Sequence, residues 1–213
     1  WSSPALATLK DGSHVILFGA GDGWLYGFDP VPKVDAEGIA VLTELFRYDA
    51  NPKHYRVDDE GKPRRYVRRK GPSEIIATPV FADGLVYVAI GQDPEHGGGL
   101  GALSAVDPHL RGDITESGRV WRFEGIGRSL STVAVADGVT YAADLAGHVY
   151  ALDAKTGDLL WEHDTRGHIW GSPLVADGKV YLGNEDGVMT VFAVGREAKV
   201  LHKAEFHSPI YGS

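Results

Sequence analysis

The sequence contains no cysteine in 213 residues, which removes disulfides, thiolate metal ligands and a cysteine nucleophile at once. It holds no apolar run near the roughly 20 residues of a membrane-spanning helix, so no transmembrane segment is expected. An excess of positive charge is also missing. Twenty-one Lys and Arg face 29 Asp and Glu, giving a net charge of -8, which excludes a general nucleic-acid or anionic-membrane binder because both reward cations. Helical periodicity is scarce. No secretory signal pattern is present, and the chain begins at Trp1 rather than Met, so the true N-terminus and any targeting segment are expected to lie outside it.

What is abundant is turn chemistry. Twenty-eight glycines and recurrent Asp-Gly pairs imply many short strands joined by tight hairpins, and 43% hydrophobic residues supply a core. The class is all-β. A repeat underlies it. Ser172-Pro173-Leu174-Val175-Ala176-Asp177-Gly178 returns as Thr78 to Gly84, as Thr132 to Gly138, and loosely as Ser3 to Gly12. Each copy reads strand, Asp-Gly turn, strand. A second hairpin and a fourth strand follow, the latter at Leu45 to Tyr48, Val120 to Phe123, Leu159 to Glu162 and Lys199 to His202. Four antiparallel strands per unit define a propeller blade.

The blades fall at about residues 2–50, 75–124, 130–163 and 169–206, with first strands (A) starting near Ser3, Thr78, Thr132 and Ser172. Insertions occupy 51–74, 91–101 and 107–118. Asp11, Asp83, Asp137 and Asp177 are read as turn residues, and Trp24, Trp121 and Trp161 as packing between blades.

The segment Ala151-Leu152-Asp153-Ala154-Lys155-Thr156-Gly157-Asp158-Leu159-Leu160-Trp161 resembles the A-x-D-x-x-T-G-x-x-x-W docking pattern of the pyrroloquinoline-quinone (PQQ) repeat β-propellers. The resemblance implies that Ala151, Asp153, Thr156, Gly157 and Trp161 form a structural docking motif, the Trp packing between blades and the Thr-Gly turn tying neighbouring sheets. The fourth unit has lost the motif. Such propellers have six to eight blades, so four imply an open arc that remaining blades or a second copy complete. The family is extracytoplasmic, and the same is expected here. Its dehydrogenases hold PQQ against a vicinal disulfide beside calcium. Without cysteines, no cofactor is expected in this chain; PQQ and calcium enter only if a full-length protein is a quinoprotein.

Strand alternation places the loop between second and third strands (B–C) on one face together with the connection to the next blade (D–A). The 51–74 and 91–101 insertions therefore share a face. The first carries Arg64, Arg65, Arg68 and Arg69, which suit either a solvated loop or an anionic group on a ligand or partner. The second carries Asp93, Glu95 and His96, read as a turn network, a hard-cation site built on Asp93 and Glu95, or general acid–base groups. Arg111-Gly112-Asp113 on the opposite face is only a three-residue adhesion match. Three functions compete: a non-catalytic scaffold for a protein or carbohydrate partner, a fragment of a PQQ-dependent dehydrogenase, and a hydrolase using the Asp93-Glu95-His96 loop. The first is preferred.

Overall fold

The structure, a computed structural model, describes residues 2–65, 71–96 and 99–212, without the side chain of residue 96. Four antiparallel sheets follow one another. Blade 1 comprises Ala5–Thr8 (β1), His14–Gly19 (β2), Trp24–Phe28 (β3) and, after the small hairpin Lys33–Val34 (β4) and Ala40–Val41 (β5), Glu44–Asp49 (β6). Blade 2 comprises Val80–Ala82 (β7), Leu85–Ile90 (β8), Ala102–Val106 (β9) and, beyond the two-residue strand Gly112–Asp113 (β10), Arg119–Phe123 (β11). Blade 3 holds Ala134–Ala136 (β12), Val139–Ala143 (β13), His148–Asp153 (β14) and Leu159–Asp164 (β15). Blade 4 holds Leu174–Ala176 (β16), Lys179–Gly183 (β17), Val188–Ala193 (β18) and Val200–Glu205 (β19). Helix among the described residues is limited to one α turn, Lys53–Arg56, and one 3₁₀ turn, Pro94–His96, both within insertions.

The first hairpins are tight because their turns accept left-handed backbone. Asp83-Gly84, Asp137-Gly138 and Asp177-Gly178 all have positive φ at both positions, as a two-residue type I′ turn requires. Blade 1 differs. Only Gly12 is left-handed there, and the Asp11 carboxylate instead accepts the Ser13 N–H at 2.9 Å in a longer loop. The first strands converge, β1 beside β7 and β12 beside β16.

Alternate residues of each sheet face the next blade, and the core is therefore three interfaces rather than one. Leu17, Leu25 and Phe46 of blade 1 meet Val86, Val88 and Ile90 of blade 2. Tyr87, Leu103 and Trp121 meet Ala142, Tyr150 and Leu152 of blade 3. Tyr141, Ala151 and Trp161 meet Val180, Leu182 and Phe192 of blade 4.

A hydrogen-bonded joint sits at the outer end of two of these interfaces. The Tyr87 hydroxyl (3.1 Å) and the Trp121 indole N–H (3.0 Å) both donate to the Ala154 carbonyl in the last turn of blade 3. Gly157, at φ 75°, lies under the Trp121 ring, where a Cβ would meet indole carbons. Thr156 stays local, its hydroxyl donating to Asp158 at 2.7 Å. One blade on, the Trp161 indole donates to the Gly195 carbonyl at 3.2 Å, and the Gly195 N–H donates to the Tyr141 hydroxyl at 2.8 Å. Blade 4 thus receives the joint without the motif's sequence, because the acceptor is backbone. Arg196 then reaches back to Asp153 at 2.7 Å.

Between blades 1 and 2 the joint is replaced. Phe46 stands where later blades have Trp, and β10 leaves blade 2 to pair in parallel with β6 of blade 1. Ile114 is fully buried there, and the Thr115 hydroxyl accepts the Asp49 N–H at 3.0 Å. The Arg-Gly-Asp triplet is part of this latch. It serves to cover a sheet edge.

Replacing Trp121 by Ala is expected to cost about 3–4 kcal/mol in chemical denaturation, whereas Trp121→Phe, which keeps the ring but loses the N–H, should cost about 1–2 kcal/mol. The Arg196 hydrogen bond, helped by the Lys155 and Thr156 N–H groups, holds the Asp153 carboxyl at about 2 against an ordinary 3.8. A folded-state pKa below the unfolded one stabilises above the ordinary value and is lost as pH falls through the folded one. Thermal melting should therefore fall between about pH 4 and pH 2, and less steeply in Asp153→Asn.

Candidate binding face

The B–C turns and D–A connections form one face, and most of its carboxylates are spent on holding it. Asp144, 2% exposed, accepts the Gly127 N–H (3.0 Å), the His148 N–H (3.1 Å) and the Tyr150 hydroxyl (2.8 Å). Burial, and then the hydrogen bond to Asp144, push the Tyr150 phenol well above its ordinary range. Asn184 takes the same place in blade 4, donating to the Thr165 carbonyl and accepting the Val188 N–H. In blade 1 that place is Ala20, and Asp22 accepts the Tyr26 hydroxyl at 2.9 Å instead; burial and this bond raise Tyr26 to about 12.

The two insertions on this face meet over blade 2. Asn51 and Ser73 exchange two hydrogen bonds, of 2.9 and 2.7 Å. The Ser73 hydroxyl donates to the Leu100 carbonyl at 2.6 Å, Tyr55 donates to the Gly101 carbonyl at 3.0 Å, and Gln92 donates to the Pro72 carbonyl at 2.8 Å. Backbone bonds between Glu74 and Gly91 complete a cap.

The residues expected from the sequence that the structure describes lie in the two insertions that form this cap. Arg64 is structural: its Nε donates to the Val57 (3.0 Å) and His54 (3.2 Å) carbonyls. Arg65 is exposed, and Arg68 and Arg69 lie outside the described residues. The Asp93 carboxylate accepts the Glu95 N–H at 2.8 Å and so opens the short helical turn that ends at His96, whose side chain lies outside the description. Among the described residues no group of three or more His, Cys, Asp or Glu is arranged to hold a metal ion. Arg56 escaped the sequence reading. It grips Asp49 through two nitrogens (2.7 and 2.9 Å) and donates to the Asp22 carbonyl, and a lone Arg outside the basic run carries no signal for this.

Asp93, Pro94 and Glu95 border a cleft of about 290 Å³ whose other walls are Ile76, Leu130 and Trp170. Those three residues are equivalent in the repeat, each three positions before the Pro or Val that opens the first strand of its blade. They form an apolar collar where the first strands converge. Trp170 is held in place: its indole donates to Glu185 at 3.0 Å, Glu185 pairs with His168 at 2.7 Å, and Tyr211, the next residue in the collar series, meets the Trp170 ring edge-to-face at 6.0 Å. The sequence carries a signal for this collar in the repeated triplets Trp170-Gly171-Ser172 and Tyr211-Gly212-Ser213.

Four consecutive four-stranded antiparallel sheets with recurring joints define a β-propeller arc. Residues 101–205 match the family model described as outer membrane protein assembly factor BamB. That match takes in about half of the chain and, with the relatives that follow, supports a propeller of the PQQ-repeat type. It is 32% identical over 117 residues to a 1-butanol dehydrogenase (cytochrome c) of Thauera butanivorans and 30% identical over 124 residues to quinohemoprotein alcohol dehydrogenase ADH IIB of Pseudomonas putida. Each match takes in 51% of this chain but only 16% of the relative. The structure of BamB from Moraxella catarrhalis superimposes with a TM-score of 0.65 at 18% identity, over 99% of this chain and 52% of that one.

Ser73→Ala removes the hydroxyl that both donates to the Leu100 carbonyl and accepts the Leu100 N–H. It should cost about 1–3 kcal/mol, because buried partners are left unpaired. Amide exchange should accelerate in the cap and not in the first strands.

Proposed function

We propose that this chain is a non-catalytic PQQ-repeat propeller module that presents its B–C and D–A face to a protein or carbohydrate partner outside the cytoplasm. The observation that carries the reading is the collar: Ile76, Leu130 and a braced Trp170 offer apolar and aromatic surface at a cleft edged by Asp93 and Glu95. Rigid aromatic anchors in a concave site bind with little loss of side-chain entropy. Arg65, exposed in the 51–74 insertion, adds attraction for an anionic partner. A propeller fold is compatible with a scaffold, since the BamB likeness is one of architecture. No helix among the described residues is long and apolar enough to cross a membrane.

A second reading is favoured by the curated relatives, both alcohol dehydrogenases: the chain is one part of a longer quinoprotein. Its own residues do not fit the cofactor site that the family resemblance implies. There is no cysteine for a vicinal disulfide, and Asp93 with Glu95 is a pair of carboxylates rather than a calcium cage. Any cofactor ligands would come from elsewhere in that protein.

Two experiments separate the readings. Trp170→Ala should reduce capture of partners from a cell-envelope extract or glycan array by at least about tenfold, the usual loss of a central anchor, with an unchanged circular dichroism spectrum. Undiminished capture removes the collar from the binding site. Dye-linked alcohol oxidation by a full-length protein supplied with PQQ and calcium would establish the dehydrogenase instead.

A further inference from the structure

The outer strand of each of the first three blades turns two side chains toward the next sheet, the Trp or Phe of the joint and the residue two positions further on. That second residue is Tyr48, Phe123 and His163 in turn, opposite Leu25, Leu103 and Val149. A ring stands there each time, but the three rings differ in what they ask of the neighbouring blade.

Tyr48 has its polar end satisfied. Its hydroxyl donates to Ser104 at 3.0 Å and accepts from Arg122 at 2.8 Å, so a fully buried phenol ends in a paired group. Phe123 brings no polar atom and meets the Tyr150 ring edge-to-face at 5.8 Å. Blade 4 offers His163 the positions that blade 2 offers Tyr48: Thr190 stands where Ser104 stands, and Lys203 lies opposite it as Arg122 lies opposite Ser104. The bonds are not made, however. His163 Nε2 and Thr190 Oγ1 are both shielded from solvent and have no hydrogen-bond partner among the described residues. An imidazole reaches less far from the backbone than a phenol, and this one stands edge-to-face with Phe192 at 5.1 Å.

A neutral imidazole tolerates that place, because its proton can sit on Nδ1 and leave Nε2 as a bare acceptor. An imidazolium does not. Nε2 must then carry a proton beside Phe192, on which Trp161 is stacked, with no acceptor to receive it, and a buried donor without a partner is costly. Strand β18 presents no charge to the ring, since its inward residues there are Phe192 and Thr190. The charged groups that act on it are Lys203 of β19, which opposes protonation, and Asp164 of its own strand, which favours it. Burial is the largest influence, and the group is held below the ordinary 6.5.

We infer that the joint between blades 3 and 4 is an acid-sensitive latch, in which protonation of His163 loosens the two sheets while the other two interfaces hold. Neither Tyr48 nor Phe123 takes up a proton on acidification, so the response is confined to one joint. A histidine whose folded-state value lies below the unfolded one stabilises fully above 6.5, and that stabilisation is lost as pH falls from there toward the folded value. The window lies well above that of Asp153. The inference stands apart from the collar reading, since it uses only residues inside one interface.

Hydrogen exchange on the 213-residue chain, corrected for the intrinsic rate, should show β16 to β19 opening several-fold more at about pH 5.5 than at about pH 7.5, with β2 and β8 unchanged. The His163 imidazole signal should titrate below 6.5 in nuclear magnetic resonance. His163→Phe, which installs the ring that blade 2 carries, should abolish the difference in exchange. His163→Tyr combined with Thr190→Ser and Lys203→Arg rebuilds the Tyr48 arrangement and should abolish it too, which keeps the test open where the Phe variant packs poorly. Equal protection of blade 4 at both pH values overturns the inference. So does a pH response that survives in a folded His163→Phe, because another group then carries it. A His163 signal that titrates at or above 6.5 overturns it as well.

Discussion

A single backbone carbonyl, that of Ala154, receives two donors from the preceding sheet, and the architecture follows from that convergence. A four-stranded sheet of this size has two apolar faces and cannot bury both alone. Stacking buries them, and each sheet needs a fixed register against its neighbour. Tyr87 and Trp121 supply it, because two donors on different strands can meet one acceptor at only one rotation of the sheets. At Gly195 the same two side chains are held by one peptide residue, its carbonyl accepting from Trp161 and its N–H donating to Tyr141. Since each blade interacts with its neighbours, stability adds blade by blade.

The parts of the fold that were legible in the sequence are those where local chemistry and repetition agree. Asp83-Gly84 and its counterparts announce a turn because few other pairs accept left-handed backbone at both positions. The aromatic at the fourth strand could be placed because it recurs in phase with those turns. Three things were not legible, each for a physical reason. The loss of the motif in blade 4 did not cost the joint, because a carbonyl acceptor has no sequence signature. The pairing of Gly112–Asp113 with Phe46–Arg47 joins residues 66 positions apart, and two residues carry no periodicity. Asp11 resembles its counterparts in sequence yet adopts another turn, since its side chain found a nearer partner in Ser13.

The candidate face shows the same division. Long insertions on rigid scaffolds often carry function, and the charged loops have that form. Much of their described polar chemistry is turned inward: Arg64 onto carbonyls, Asp93 onto its own turn, Asn51 and Ser73 onto each other. What faces the cleft instead is a series of plain hydrophobic residues, Ile76, Leu130 and Trp170, which composition alone would assign to packing. They stand out only when the repeats are aligned. A position that must be apolar in every copy, yet is not needed for a sheet interface, is a position shared by the assembly as a whole.

The parallel pairing of β10 with β6 has a consequence for force. If a pull acts on the C-terminal end, blades 4 and 3 can peel away in turn, each sheet detaching whole as its joint gives. Blade 2 cannot leave that way, because its last loop pairs with the outer edge of blade 1 and buries its own Ile114 there. Removing it means shearing β10 along β6 before the interface opens, and strands loaded along their length resist more than strands unzipped one bond at a time. The arc therefore has a fixed pair at one end and detachable sheets at the other.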